Sequence, residues 1–248
     1  SPETLNNPNS LPLALFNHVI ISSEQVKPNL KEINQCINRL GDQSKYKSET
    51  LRFAMEKYYL ARFRKIELRP DELETKRLIE ELGQFLVENN LGDAFENRSF
   101  YALGMMNFMV EDHKMAFKYA NLLLNKNKKL VEDDYLIFAH VMRLISAYEL
   151  GLVDALPSYF RSSYRFISAR DIKSTSVTLL LKLIRTQFIS FNNSEKHLNA
   201  LAESYLSFDH SEVSTFEKPY FYLTAWVDSK LNGISFVSAY KKMNVWNS

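Results

Sequence analysis

The chain has 248 residues, 46% hydrophobic and 13% aromatic, so it holds ample material for a core and lacks the composition of a disordered protein. Six glycines and seven prolines are few for a turn-rich β-sandwich or barrel, whereas long helices with short connections need few of either. The 31 basic and 29 acidic residues leave a formal charge of +2, too little by itself for a nucleic-acid binder, which needs a clustered basic surface to neutralise phosphates.

The chain begins Ser1-Pro2 without methionine, as a trimmed product or a piece of a longer protein does. Its Pro/Asn-rich opening is expected to be mobile over residues 1–12, and 1–28 as a whole is expected to be flexible or irregular. The apolar run 11–21 is broken by Pro12, Asn17 and His18 and falls short of the roughly 20 residues of a spanning helix. It also lacks a basic leader, so neither membrane insertion nor a signal peptide is expected. Cys36 is the one cysteine, which excludes an internal disulfide; with no histidine nearby it reads as a structural thiol. The expected compartment is the cytoplasm.

From residue 29 onward a 3.6-residue period dominates, and strict alternation is nearly absent. Helices are predicted at 29–40, closed by Gly41-Asp42, at 44–68, and from Pro70 to about 89. Proline suits a first helical turn, and Asp71, Glu72 and Glu74 suit the positive end of the helix dipole. These helices make a divergent N-terminal part, 29–90. Residues 91–248 read as helix pairs: 95–110 with 114–125, 133–150 with 153–168, 175–191 with 195–208, and 219–231 with 235–243. Successive pairs start about 40 residues apart, with a more apolar first helix and a more amphipathic second one. The predicted fold is all-α, one helical-repeat domain over 29–248, arranged as a helical-hairpin (TPR-like) solenoid or α-α superhelix.

The first pair sharpens that expectation. Phe100, Leu103, Gly104 and Ala116 fall at the spacing of the tetratricopeptide pattern, and Ala120 continues the small face. A glycine on one helix facing an alanine on the next lets the two backbones approach closely. Gly104 inside a helix costs about 1 kcal/mol relative to alanine, so a packing role is expected of it. The later proline of the pattern is missing, and Asn107 stands where an aromatic is expected.

The run Tyr148-Glu149-Leu150-Gly151, the run Ser162-Ser163-Tyr164-Arg165-Phe166-Ile167 and the pair Ala225-Trp226 resemble a group of uncharacterised bacterial tetratricopeptide-like proteins. In that group a Tyr-Glu-Leu-Gly turn precedes a helix ending in Tyr-Arg-Phe. The resemblance covers roughly Phe100 to Met243 and implies a helical-repeat fold; it supplies neither an activity nor catalytic residues.

Signatures of chemistry are sparse. The five histidines, His18, His113, His140, His197 and His210, include no pair spaced to put two ligands on one helical face. Asp133-Asp134 and Asp209-His210 are adjacent in sequence, but adjacent helical side chains point apart. The glycines form no phosphate loop, nucleophile elbow or dinucleotide fingerprint. Catalysis, a cofactor and a metal are therefore not expected.

One constellation remains. The helix at 133–150 is apolar almost all round, which predicts burial on most sides, and its interruptions His140 and Arg143 lie on one stripe. The helix at 175–191 carries a similar stripe of Thr178, Lys182 and Arg185. If the first helices of the pairs line a concave surface, Arg98, His140, Arg143, Lys182 and Arg185 form a basic groove there. Such a groove suits an acidic peptide or a free C-terminal carboxylate of a partner protein. The competing reading is that these cations snorkel to water, or that Arg143 or Arg185 pairs with Glu149 or another acid. A secondary basic patch, Arg161 and Arg165 at i, i+4 beside Tyr159 and Tyr164, suits phosphate or RNA through charge and stacking, or is an ordinary solvated face. Trp226, Tyr220 and Tyr222 are expected in the core in preference to a dimer contact. The expected function is a protein-interaction scaffold. A nucleic-acid-associated helical repeat is the alternative, and a helical enzyme without local motifs the third reading.

Overall fold

The computed structural model describes residues 9–25, 28–89, 92–126, 131, 133–169 and 221–243. The expected helices at 175–191 and 195–208, with Lys182 and Arg185, lie outside the described residues. Among the described residues every regular element is helical. In chain order these are α1 (Ser10–Ser23), α2 (Leu30–Gly41), a 3-10 turn (Gln43–Lys45), α3 (Ser48–Leu68), α4 (Glu72–Glu88) and α5 (Asp93–Met109). There follow α6 (His113–Asn125), α7 (Asp133–Glu149), α8 (Leu156–Ser168), α9 (Phe221–Asn232) and α10 (Phe236–Met243). No helix among them is long and apolar enough to cross a membrane.

The chain divides into two compact units, one ending at Ala102 and one spanning Leu103–Met243, with the division inside α5. Within residues 1–28, where local pattern predicts an irregular segment, α1 covers fourteen residues. Its Leu15 and Val19 are buried with Ile33, Cys36, Ile37 and Leu40 of α2 and Ala61 of α3. Burying side chains of this size is worth about 1.5–3 kcal/mol each, enough to order a segment whose local signals are weak. Cys36 is buried here, which raises its thiol pKa and matches a structural role.

Local chemistry sets the starts of the helices. Asn29, Asp71 and Asp112 each accept the backbone N–H three residues on, at 3.3, 2.8 and 3.0 Å, and so cap α2, α4 and α6. Asp71 is therefore the cap of α4, and Pro70, expected in the first turn, sits just outside the helix. Helices α3 and α4 are tied by Lys65–Glu74 at 3.1 Å and by an ion pair between Arg62 and Glu81. The Arg62 guanidinium also lies over the Tyr58 ring at 5.3 Å.

In the second unit α6 packs on α7, α7 on α8, and α9 on α10. Three helix ends there share one geometry. After α7 the Leu152 amide bonds Ala147 O and the Gly151 amide bonds Tyr148 O, both at 2.9 Å, with Gly151 at φ 66°. After α9 the Ile234 amide bonds Ser229 O at 3.1 Å, with Gly233 at φ 60°. After α5 the Asp112 amide bonds Asn107 O at 2.9 Å and the Glu111 amide bonds Phe108 O at 3.1 Å, with Glu111 at φ 61°. These are Schellman closures, in which a left-handed residue lets the chain turn back on the last carbonyls. Gly104 meets its expected role: an added Cβ would lie 2.7 Å from Met142 Cε of α7 and 3.4 Å from Tyr119 Cβ of α6. Ala116 and Ala120 are fully buried, and the buried Asn107 donates to Leu103 O at 2.7 Å in place of an aromatic contact.

Candidate functional site

Pro157 in the first turn of α8, with Leu156, Phe160, Ser163, Phe166 and Ile167 buried along one side, fixes which face the helix turns inward. That leaves Ser158, Arg161, Ser162 and Arg165 on a second stripe, spaced i, i+3, i+4 and i+7. Together with His140 of α7 and Phe166 they line an open cleft of about 470 Å³.

His140 does not stand on an open stripe. It is buried, its Nδ1 lies 3.2 Å from Ser163 Oγ, and Ser163 Oγ donates to the His140 carbonyl at 3.3 Å. Its ring packs on Phe166 with centroids 4.4 Å apart. Apolar periodicity alone cannot say which neighbour covers which side of a helix as apolar as α7, and here α8 covers the side that carries His140.

Arg143, one turn on, is half-buried and touches Ser162, which lines the cleft. Its Nη2 makes long contacts of 3.4 Å with His140 Nδ1 and with Ser162 Oγ, and its guanidinium lies 4.8 Å from the centre of the Tyr159 ring. Its Nε is buried with no hydrogen-bond partner among the described residues. Burial pushes the guanidinium below its ordinary range, and the Tyr159 hydroxyl only partly opposes this. The expected alternative partner, Glu149, is engaged elsewhere: it accepts Trp226 Nε1 at 2.6 Å and Lys230 Nζ at 2.8 Å. Trp226 itself is buried.

Arg161 and Arg165 are exposed, one helical turn apart. Among the described residues no carboxylate pairs with Arg143, Arg161 or Arg165. The α7–α8 hairpin therefore gathers two expected features, the His140/Arg143 stripe and the Arg161/Arg165 patch, at one cleft. Sequence spacing shows each pair separately and gives no sign of their convergence. Arg98 lies on α5 in the first unit and is half-buried there, while Lys182 and Arg185 lie outside the described residues. Tyr164 is exposed beside the arginines and stacks on Phe160 with centroids 5.9 Å apart.

The hairpin can supply forked N–H donors from Arg161 and Arg165, hydroxyls from Ser158 and Ser162, and positive charge from Arg143, which touches Ser162. That is the donor set for an anion. Among the described residues no three His, Cys, Asp or Glu side chains gather to hold a metal ion. No protein-family model matches the chain, and no curated protein or solved structure matches it either.

Proposed function

We propose that the chain is an interaction module built from tetratricopeptide-like helical hairpins, and that its α7–α8 hairpin receives a negatively charged segment of a partner protein without turnover. The observation that carries this reading is the pair Arg161 and Arg165 lining one cleft, with Arg143 in contact with the cleft-lining Ser162, and no carboxylate partner for any of the three among the described residues. Among the described residues, Arg143 in particular is held partly out of water against an imidazole, a serine hydroxyl and a tyrosine ring. An incoming carboxylate offsets that desolvation, which no described carboxylate compensates. The three Schellman closures and the close approach at Gly104 support the hairpin-repeat part of the reading.

The test is fluorescence anisotropy of a labelled heptapeptide of glutamate and glycine with a free C-terminus, titrated with the full chain. Binding is expected to weaken by about tenfold or more when Arg161 and Arg165 are both replaced by alanine, a loss of at least one charge-assisted fork. Both side chains are exposed, so helical circular dichroism is expected to stay unchanged. Unaltered affinity in the double variant contradicts the reading.

A second reading, single-stranded nucleic acid, is favoured by one observation, the exposed Tyr164 beside Arg161 and Arg165. Steep loss of affinity with salt distinguishes it, because each neutralised phosphate adds to the salt slope.

A further inference from the structure

The α7–α8 cleft is compact. Its exposed cations stand on consecutive turns of α8, a rise of about 6 Å between Arg161 and Arg165, and its hydroxyls Ser158 and Ser162 lie on the same stripe. Two carboxylates on one side of an extended segment would match that spacing, but a longer acidic run would outreach it. Side chains on one side of such a segment recur about 7 Å apart, so each successive carboxylate needs a fresh cation further along. Among the cleft-lining residues only Arg161 and Arg165 offer such cations; Arg143 of α7 reaches the cleft only through its contact with Ser162. The floor is closed by the buried His140 ring packed on Phe166. Charge is thus concentrated on one small volume and approached from two helices, which matches a single group that carries two negative charges on several oxygens. A phosphate monoester has that form: nearly two charges and three acceptor oxygens, each able to meet a guanidinium fork or a hydroxyl.

We propose that the group bound between Arg161 and Arg165, with Arg143 adding charge beside Ser162, is the phosphate monoester of a phosphorylated serine or threonine on the partner segment. This rests on the reading of the hairpin as a partner-binding site. Phosphorylation of the partner then acts as the switch for docking. The dianion is held by the arginine forks, and the flanking peptide lies along the exposed Tyr164 side of α8.

The experiment uses the full chain and three labelled nonapeptides of alternating glycine and alanine. They carry at the central position phosphoserine, glutamate or serine. The phosphoserine peptide is expected to bind about tenfold tighter than the glutamate peptide, and the serine peptide not measurably. The preference is expected to vanish in the Arg161→Ala/Arg165→Ala variant, while Arg165→Lys, which keeps the charge and loses the fork, is expected to retain only part of it. Equal binding of the phosphoserine and glutamate peptides overturns the phosphate assignment and leaves the acidic-partner reading standing. Failure of both peptides to bind overturns the two together. Inorganic phosphate is expected to compete only at far higher concentration than the phosphopeptide; equal competition overturns a partner-borne phosphate in favour of the free ion. An oligouridylate that binds as tightly as the phosphopeptide overturns the assignment in favour of nucleic acid.

Discussion

Glu111 accepts the backbone N–H of Phe236 at 3.1 Å while its own backbone sits at φ 61°, the left-handed position that Gly151 and Gly233 occupy after α7 and α9. A side chain in that conformation costs roughly 1–2 kcal/mol, and glycine is what the equivalent turns use. The carboxylate supplies a compensation glycine cannot, because Phe236 opens α10 and its amide has no partner inside the helix.

Glu111→Ala keeps the backbone strain and loses the cap, so it is expected to lower stability by about 1 kcal/mol. Glu111→Gly loses the cap but relieves the strain, and is expected to fall within about 0.5 kcal/mol of the parent chain. Urea unfolding of the two variants measures the difference. Equal destabilisation by alanine and glycine contradicts the offset.

Two helical glycines are expected to respond in opposite directions. Gly83, within α4, has nothing within 4 Å of the place an added methyl would take. Gly83→Ala is expected to raise stability by about 1 kcal/mol through helix propensity alone. At Gly41 the same methyl would lie 2.8 Å from Tyr58 Cε2 and 3.2 Å from Cδ2, the edge of a ring that also supports Arg62. Gly41→Ala is expected to lower stability by about 1 kcal/mol by displacing that ring. Thermal melts of both variants give the signs directly.

His113 is expected to make the second unit acid-sensitive. Its Nδ1 is buried with no hydrogen-bond partner among the described residues, and its ring meets Phe108 edge-on at 5.5 Å. Burial lowers its pKa below the ordinary 6.5; Glu149, Glu111 and Asp112 pull the other way, and Lys230 adds to the lowering. In the folded chain the group thus releases its proton more readily than in the unfolded chain. Between the two pKa values the unfolded state binds more protons, so stability rises with pH there. The contribution is complete above about pH 6.5 and is lost as the pH falls below it. Urea midpoints across that range are expected to decline less steeply for His113→Asn than for the parent; parallel declines would exclude His113 as the cause.

Helix existence was largely legible in the sequence because capping and punctuation agree with periodicity. Asp71 and Asp112 mark starts, and Gly151 and Gly233 mark ends, at the positions where the backbone needs an acceptor or a left-handed residue. Helix α1 escaped that reading. Its apolar residues are interrupted by Asn17 and His18 and form no clear stripe, and its order comes from contact with α2 and α3. Local sequence carries no record of such contacts. The site was legible in pieces: Arg143 one turn after His140, and Arg165 one turn after Arg161. Their meeting depends on α8 folding back along α7, and the burial of His140 by Ser163 and Phe166 follows from that rotation. The Glu149–Trp226 bond spans 77 residues and is likewise invisible to any window of local pattern.

The most direct test of the α7–α8 site is an amide chemical-shift titration of the isotopically labelled full chain with the phosphoserine nonapeptide. The shifts are expected to concentrate on α7 around His140 and Arg143 and on α8 from Ser158 to Phe166, and to saturate with one affinity. Shifts centred on other helices, or spread evenly along the chain, contradict the assignment of that hairpin as the place where the partner docks.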